Sequence, residues 1–360
     1  MAANQYEDHL FAITKSGQLI ETRYDLKIES IKDIEAEPEF TYVMCPFHKA
    51  EVTGLDVCIR KQLIATCSKD KTVCVWNYDS RKLEIKSTVY AEECLTLAFH
   101  PSGLHLIVAL QDKINFCNIL SHEIKQQDKG SLSIKGCQEI RFSHGGHLFA
   151  CAAGQGNKEI HIFNFYTSEC PKSMQYIGHT NRIRSIAWFD NDMGFASTGA
   201  DGNIYFYDLY GSVKDLQKRN DEFDYPVKEV KMQCLSTIPG SSNNYDVLAV
   251  GNDRQIHNNN NKQTKMHPDS LVQLSQITVH RNGRSFFTGV GDPRLPGAIQ
   301  ICRMIENTNF MEKVSEVQAH SKPVERLRLT HDNQNLFSVG ADGLICMFEV
   351  KDRDIRMRQT

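Results

Sequence analysis

Apolar and polar residues alternate in short runs over residues 48–77, and this pattern returns through most of the chain. Two apolar runs, 52–57 and 63–67, are followed by a polar turn at 68–71 and then by the alternating residues 73–76. These runs predict three short antiparallel strands joined by tight turns. Such a unit cannot bury both of its faces alone, so it predicts similar units elsewhere in the chain.

The same unit recurs with a fixed spacing of histidine, aspartate and aromatic residue. His48 lies 22 residues before Asp70, and Asp70 lies 6 residues before Trp76. Both spacings are repeated by His179, Asp201 and Tyr207, and again by His320, Asp342 and Phe348. Three copies at one spacing indicate an internal repeat rather than a chance arrangement.

A second mark consists of an apolar residue, a polar turn and an apolar pair seven residues on. It begins at Phe99, Phe142, Trp188, Val279 and Leu329, with successive intervals of 43, 46, 91 and 50 residues. The interval of 91 leaves room for one further unit. Repeats of about 40–45 residues with three or four strands each are typical of WD-repeat β-propellers. We therefore predict an all-β fold, a seven-bladed WD40-type β-propeller with units at 48–77, 94–118, 137–163, 179–208, 228–257, 274–302 and 320–350.

The residues outside these seven units define the segments at the two ends of the chain. Residues 40–350 are predicted to form the propeller, residues 1–39 an N-terminal hairpin and charged linker, and residues 351–360 a polar tail. The strand-like residues 40–45 would pair with residues 345–350 as the outer strand of the last blade. This pairing would close the ring and remove an exposed sheet edge.

Residues 8–28 contain a hairpin-like pair of runs that the seven units do not include. Either the ring has eight blades or this hairpin belongs to a preceding propeller. We favour the second interpretation, in which the chain is a piece of a longer protein. Two other segments interrupt the repeat: residues 211–225 are charged and predict an exposed loop, and residues 257–265, with four consecutive asparagines, predict a disordered loop.

Composition and charge argue against several classes of partner. The net charge of −3 over 360 residues gives no reason to expect nucleic acid or an anionic membrane. No apolar run is long enough to span a bilayer, and the N-terminus carries no secretory signal. No pair among the 12 cysteines has CxxC spacing. Reduced cysteines in a cytosolic protein are therefore expected, rather than a disulfide framework or a zinc site.

The residues 52–78, 98–110 and 142–150 resemble the second propeller of the cilia- and flagella-associated protein fifty-seven family. Members of that family are axonemal WD-repeat proteins with tandem propellers followed by a long coiled coil. The resemblance implies a non-catalytic scaffold of the cytoplasm, cytoskeleton and ciliary or flagellar axoneme that helps to position inner dynein arms. The partners that it implies are inner dynein arm or microtubule-associated proteins. This sequence departs from the family in lacking the coiled coil and most of the first propeller.

The three histidine–aspartate pairs suggest acid–base catalysis, because each places an imidazole near a carboxylate. Three copies around a ring favour a structural role instead, with the aspartate in a tight turn before Gly202 and Gly343 in two of them. No nucleophile elbow, phosphate-binding loop or metalloprotease motif is present. We therefore predict no enzyme activity, no cofactor, no metal and no small-molecule substrate.

Four arginines indicate an interaction surface. Arg182 and Arg184 lie at the start of the innermost strand of the fourth unit, and Arg326 and Arg328 lie in the same strand of the seventh. We interpret them as a protein-binding rim with arginines at matching repeat positions; a solvated rim without a partner is the alternative. Two function classes stay open. One is the axonemal scaffold, and the other is a WD40 interaction module of another cytosolic assembly, such as a ubiquitin-ligase receptor or a coat component.

Overall fold

The computed structural model describes residues 2–3, 9–13, 19–23, 41–42, 48–87, 89–153, 156–209, 225–226, 230–239, 246–259, 263–266, 272–292, 295–304 and 311–351. They divide into two compact units, Met1–Lys49 and Ala50–Thr360. The first unit contains one antiparallel sheet of β1 (Ala2–Ala3), β2 (His9–Ile13), β3 (Leu19–Arg23) and β4 (Thr41–Tyr42).

Seven antiparallel sheets, called blades 1 to 7, form the second unit. Blades 1 and 2 contain β5 (Val52–Val57), β6 (Leu63–Ser68), β7 (Val73–Asn77) and β8 (Lys82–Lys86), then β9 (Cys94–Phe99), β10 (His105–Leu110), β11 (Ile114–Ile119) and β12 (Ile124–Leu132). Blades 3 and 4 contain β13 (Ile140–Phe142), β14 (Leu148–Ala153), β15 (Glu159–Asn164) and β16 (Gln175–Ile177), then β17 (Ile183–Trp188), β18 (Gly194–Gly199), β19 (Asn203–Asp208) and β20 (Tyr225–Pro226). Blades 5 and 6 contain β21 (Met232–Thr237), β22 (Val247–Gly251), β23 (Gln255–Asn258) and β24 (Gln263–Met266), then β25 (Leu274–Val279), β26 (Ser285–Val290), β27 (Ala298–Met304) and β28 (Met311–Gln318). Blade 7 contains β29 (Val324–Leu329), β30 (Asn335–Gly340) and β31 (Ile345–Glu349). The predicted seven-bladed all-β propeller and the extra N-terminal hairpin are confirmed.

The core of the second unit lies between neighbouring blades. The second strand of each blade has a neighbouring blade on both of its faces. Strands β6, β14 and β18 are therefore buried along their whole length. Burial on both faces explains why these strands consist of apolar and small residues without a charged side chain. The fourth strands are more exposed, and in β8 only Ile85 is fully buried.

The ring of blades closes by side-chain packing between blades 7 and 1. Strand β29 lies against β5. The ring of Tyr78, which follows β7 in blade 1, has its centroid 5.4 Å from that of Phe337 in blade 7. The closure therefore rests on the inner strands and their side chains.

The predicted pairing of residues 40–45 with 345–350 is wrong. Thr41–Tyr42 is bonded to β3, with Tyr42 opposite Ile20. The open edge of the N-terminal hairpin takes up this strand, so the strand is not available to the last blade. Among the described residues, blade 7 consequently has three strands where the other blades have four.

The boundary between the two units falls after Lys49, whereas the sequence places the start of the propeller after Glu39. The linker at 29–39 and most of the polar tail lie outside the described residues. Most of the predicted loop at 211–225 does as well, and its last residue, Tyr225, begins β20 opposite Ile204.

The prediction of a disordered loop at 257–265 is wrong for the residues that the structure describes. His257 and Asn258 end β23 and are 0% and 5% exposed. Asn258 pairs with Gln263 of β24, and the side-chain oxygen of Asn259 accepts a hydrogen bond from Val247 N at 2.9 Å. Asn258 and Asn259 therefore belong to blade 5, where an asparagine side chain bonds to a backbone N–H group.

The part of the chain that the structure describes contains one helix, a 3₁₀ turn at Lys172–Met174. No helix in that part is long and apolar enough to cross a membrane.

Candidate interaction face

His179 and Asp201 join the loop that enters blade 4 to the turn between β18 and β19. The imidazole Nδ1 lies 3.0 Å from each carboxylate oxygen, and Nε2 lies 2.7 Å from the hydroxyl of Ser197. The same carboxylate accepts hydrogen bonds from Thr180 N and Asn203 N. The pair therefore holds two backbone segments of one blade together.

Blade 7 repeats this arrangement with His320 and Asp342. The imidazole Nδ1 lies 3.1 Å from Asp342 Oδ1, and Nε2 lies 2.8 Å from Ser338 Oγ. Burial alone would lower the pKa of His320, but the hydrogen bond to Asp342, together with the neighbouring Cys346, raises this pKa to about 9. Burial would raise the pKa of Asp342, but the bond to His320 and two backbone N–H groups lower it to about 2. At neutral pH both groups are charged.

Ser197 and Ser338 were not singled out from the sequence, although each stands 18 residues after its histidine, as Thr66 does after His48. Serine is hydrogen-bonded to histidine and histidine to aspartate, which is the arrangement of a hydrolase triad. The two serines are 0% exposed, and the side chains of His179 and His320 are also 0% exposed. A substrate cannot reach them, so we retain the structural interpretation of these pairs.

The aromatic members of the repeat act differently from blade to blade. Trp76 donates its indole N–H to Thr66 Oγ1 at 2.9 Å. Tyr207 instead stacks on Phe195 at 4.8 Å, and Phe348 packs in the apolar cluster between blades 6 and 7.

The first histidine–aspartate pair remains a prediction. His48 lies in the first compact unit and Asp70 in the second. Within its own turn, the Asp70 carboxylate accepts hydrogen bonds from Thr72 N at 3.0 Å and from Thr72 Oγ1 at 2.6 Å.

Four charged side chains form a network of ion pairs across the central channel of the ring. Arg141 in blade 3 lies 3.3 Å from Asp56 in blade 1 and 2.9 Å from Glu139, and Arg326 in blade 7 lies 3.2 Å from Glu139. Burial would lower the pKa of Arg141, but the carboxylates of Glu139 and Asp56 raise it. Two positive and two negative charges thus compensate each other, and the Glu139 side chain is only 2% exposed. This network could not be predicted from the sequence, because its members share no spacing.

The four predicted rim arginines are not equivalent. Arg182 and Arg184 are exposed, whereas Arg326 and Arg328 are half-buried. Arg326 is bonded to Glu139 and to the carbonyl of Gln138, so it is engaged within the ring.

The interpretation of matching repeat positions is wrong. Arg326 lies opposite Val339 in blade 7, and the corresponding pair in blade 4 is Ser185 with Thr198. The residue equivalent to Arg184 is Glu325, which stands 5 residues after His320 just as Arg184 stands 5 after His179. The rim therefore places a negative charge in blade 7 where blade 4 has a positive one.

Bulges in the first strands turn selected side chains toward the channel mouth. Among the described residues, the register of the first strand shifts in six blades and leaves one unpaired residue in each: Thr53, Leu95, Arg184, Gln233, Ser275 and Glu325. A bulge bends a strand and re-aims its extra side chain. Four of these residues, in blades 4 to 7, line a cavity of about 230 Å³ at the mouth of the channel.

The described residues show no cluster of histidine, cysteine and acidic side chains that would hold a metal ion. The cysteines among them are free, and most are buried. Burial raises the pKa of Cys67 to about 12 and that of Cys302 to about 12, so both thiols stay protonated at neutral pH.

The WD domain, G-beta repeat family matches residues 39–77, 169–208 and 311–349, which contain the three copies of the histidine–aspartate–aromatic repeat. Cilia- and flagella-associated protein 57 of Mus musculus is 34% identical over 351 residues, which cover 97% of this chain and 26% of the mouse protein. Cilia- and flagella-associated protein 57 A of Tetrahymena thermophila is 30% identical over 382 residues, 98% of this chain and 28% of that protein. The resemblance predicted from the sequence is confirmed. The chain spans little more than a quarter of the length of these two relatives.

A chain in the crystal structure of the mitotic checkpoint complex superposes with a TM-score of 0.68 at 17% identity, over 84% of this chain and 91% of the other. At that identity the likeness shows the shared fold alone.

Proposed function

We propose that this chain is a non-catalytic WD-repeat scaffold of the ciliary or flagellar axoneme. The observation that carries the proposal is the 34% identity over 97% of the chain to a protein named for cilia and flagella. A match to WD repeats alone would fit an interaction module of any assembly. Similarity along nearly the whole chain to a protein of this name favours a ciliary assembly over the others.

The proposed partners are inner dynein arm or microtubule-associated proteins, and the proposed role is to help position the inner dynein arms. The face where the innermost strands begin is the binding surface. Arg182 and Arg184 are exposed there, and neither has an acidic side chain within ion-pair distance among the described residues. The planar guanidinium of arginine can bind a carboxylate through two parallel hydrogen bonds. Arg326 supports this face from below through Glu139 rather than by contacting a partner.

The test uses a tagged full-length protein in ciliated cells that lack the endogenous copy. The wild type should enter the axoneme and restore inner dynein arms seen in cross-section by electron microscopy. Arg182→Glu combined with Arg184→Glu should reduce axonemal retention, because it presents negative charge to an acidic partner. Arg281→Glu is the matched control, since Arg281 is exposed in the turn at the opposite ends of the strands.

A wild-type protein that never enters the axoneme would exclude the ciliary scaffold and favour another cytosolic assembly. Axonemal entry without any effect on inner dynein arms would reject the dynein-arm role alone. Equal retention of the double variant and the Arg281→Glu control would reject the arginine face as the binding surface.

A further inference from the structure

Four glutamines line the cavity at the channel mouth. They come from three blades: Gln138 from blade 3, Gln233 from blade 5, and Gln273 and Gln276 from blade 6. Their side-chain amides have no hydrogen-bond partner within the described part of the chain. Each amide offers two donors and one acceptor oxygen. A cavity with unused amides on several sides can bond to both the N–H and C=O groups of a peptide.

Two opposite charges stand beside these amides. Arg184 and Glu325 occupy equivalent bulge positions in blades 4 and 7, and both line the cavity. Partial desolvation and the nearby guanidinium groups of Arg182 and Arg326 lower the pKa of Arg184, and the carboxylate of Glu325 acts in the opposite direction without cancelling them. Positive charge is therefore concentrated near Arg184 without a paired carboxylate among the described residues, whereas Arg141 and Arg326 are both paired.

The size of the cavity limits what can enter. A volume of about 230 Å³ is smaller than the roughly 300–1,000 Å³ of pockets that hold drug-sized ligands. It suits one side chain with its adjoining backbone. Arginine prefers a carboxylate or a phosphate, but Glu325 on the facing wall and the engagement of Arg326 by Glu139 disfavour a doubly charged phosphate.

We propose that the channel mouth binds a loop of a partner protein by inserting one aspartate or glutamate, whose carboxylate pairs with Arg184 while the adjoining backbone bonds to the glutamine amides. This inference rests on the proposed function and assigns the chemistry of the partner segment. Glu325 faces the inserted carboxylate and favours a basic residue next to it in the loop.

The test pans the purified protein against a library of disulfide-constrained random peptides displayed on phage, and measures the enriched peptides by fluorescence anisotropy. The enriched loops should share an aspartate or glutamate. Arg184→Glu should weaken their binding by roughly tenfold or more, since a hydrogen bond to a charged group is lost and repulsion is added. Gln233→Leu, which keeps the volume and removes one amide, should weaken binding by about threefold to tenfold. The control Arg281→Glu should bind like the wild type.

A charge exchange completes the design. Replacing the shared acidic residue of the loop by lysine should abolish binding to the wild type and restore it with Arg184→Glu. Loops without an acidic residue, or equal affinity for wild type and Arg184→Glu, would overturn the proposal. Tighter binding of a loop that carries phosphoserine at the acidic position would also overturn it, in favour of a phosphate site. Because this assay is independent of cilia, its failure leaves the axonemal proposal standing, and loss of axonemal entry leaves the binding result standing.

Discussion

At the scale of single residues, the histidine–aspartate pairs depend on a glycine beneath them. A Cβ atom at Gly199 would lie 2.8 Å from His179 Nδ1 and 3.0 Å from Asp201 Oδ1. At Gly340, a Cβ atom would lie 2.7 Å from both His320 Nδ1 and Asp342 Oδ1. These distances are too short for ordinary contact, so any other residue would separate the imidazole from the carboxylate.

The pair in blade 7 predicts a specific dependence of stability on pH. The pKa of His320 is raised from 6.5 to about 9, so its contribution to the free energy of unfolding is full below about pH 6.5 and is lost as the pH rises through 9. The pKa of Asp342 is lowered from 3.8 to about 2, so its contribution is full above about pH 3.8 and is lost as the pH falls through 2. Urea unfolding at a series of pH values measures this dependence. Between pH 6.5 and 9, the free energy of unfolding should fall more for the wild type than for Asp342→Asn.

The contributions of other titrating groups to the pH dependence cancel when the free energies of unfolding of the wild type and Asp342→Asn are subtracted. Asp332→Asn is a suitable control, because Asp332 is exposed in blade 7 and, among the described residues, its carboxylate accepts hydrogen bonds from its own turn alone. A difference between wild type and Asp342→Asn that stays constant from pH 6.5 to 9 would contradict the assigned ion pair.

Single residues also shape the turns between first and second strands. Gly103, Gly146 and Gly283 have φ of 72°, 79° and 67°, a left-handed conformation that glycine adopts without strain. Asp192 and Asn333 take the same conformation in blades 4 and 7, and their side chains accept hydrogen bonds from Gly145 N and Arg281 N of the preceding blades. In the two blades that have aspartate or asparagine at this turn position instead of glycine, the side chain links the blade to the preceding one.

At the scale of the elements, the third strand of blade 7 differs from its counterparts. Strand β7 is paired on both sides, with β6 and β8, and four of its five residues are buried. Strand β31 is paired with β30 alone among the described residues, and none of its residues is fully buried. The apolar Met347 and neighbouring Leu344 are 38% and 43% exposed. An unpaired edge of this kind can bond to a further strand.

Amide hydrogen exchange should report this difference. We expect the outward-pointing amides of β31 to exchange faster than those of β7 by roughly tenfold or more, because they lack a second strand to protect them. Strand β11, which is also third in its blade and paired with β12, serves as a second reference. Equal protection of β31 and β7 would show that a strand from another segment covers the edge.

At the scale of the whole molecule, the ion-pair network of Asp56, Arg141, Glu139 and Arg326 connects blades that are not all neighbours in the ring. Blades 7 and 1 are adjacent, but blade 3 lies farther along the sequence and reaches both through Glu139 and Arg141. A buried charge without a partner is costly, so the network requires these blades to keep their relative positions. Arg326 belongs to this network and also lines the cavity at the channel mouth, so the network holds part of the cavity wall in place.

Removing the centre of this network should destabilise the protein strongly. Glu139→Ala leaves two arginines without their shared carboxylate and should lower the free energy of unfolding by about 3–5 kcal/mol. Glu51→Ala removes an ion pair of 2.7 Å between the exposed Lys69 and the half-buried Glu51, and should cost less than about 1 kcal/mol. Urea denaturation of both variants measures the contrast. Losses of similar size would show that the channel network is no stronger than a surface ion pair.

The repeat, the strand order within a blade and the number of blades could be predicted from the sequence, because they depend on local alternation and on spacing along the chain. The sequence also marked His179 with Asp201 and His320 with Asp342, since two residues 22 apart in one repeat unit meet within one blade. The sheet edge that pairs with Thr41–Tyr42 became clear from the folded chain, because two open edges offer the same backbone hydrogen bonds and the sequence does not distinguish them. The role of Arg326 was decided in the same way: its partner Glu139 is 187 residues away in the chain and close only once the ring is closed. Contacts across the channel follow from closure of the whole ring, and no local pattern records them.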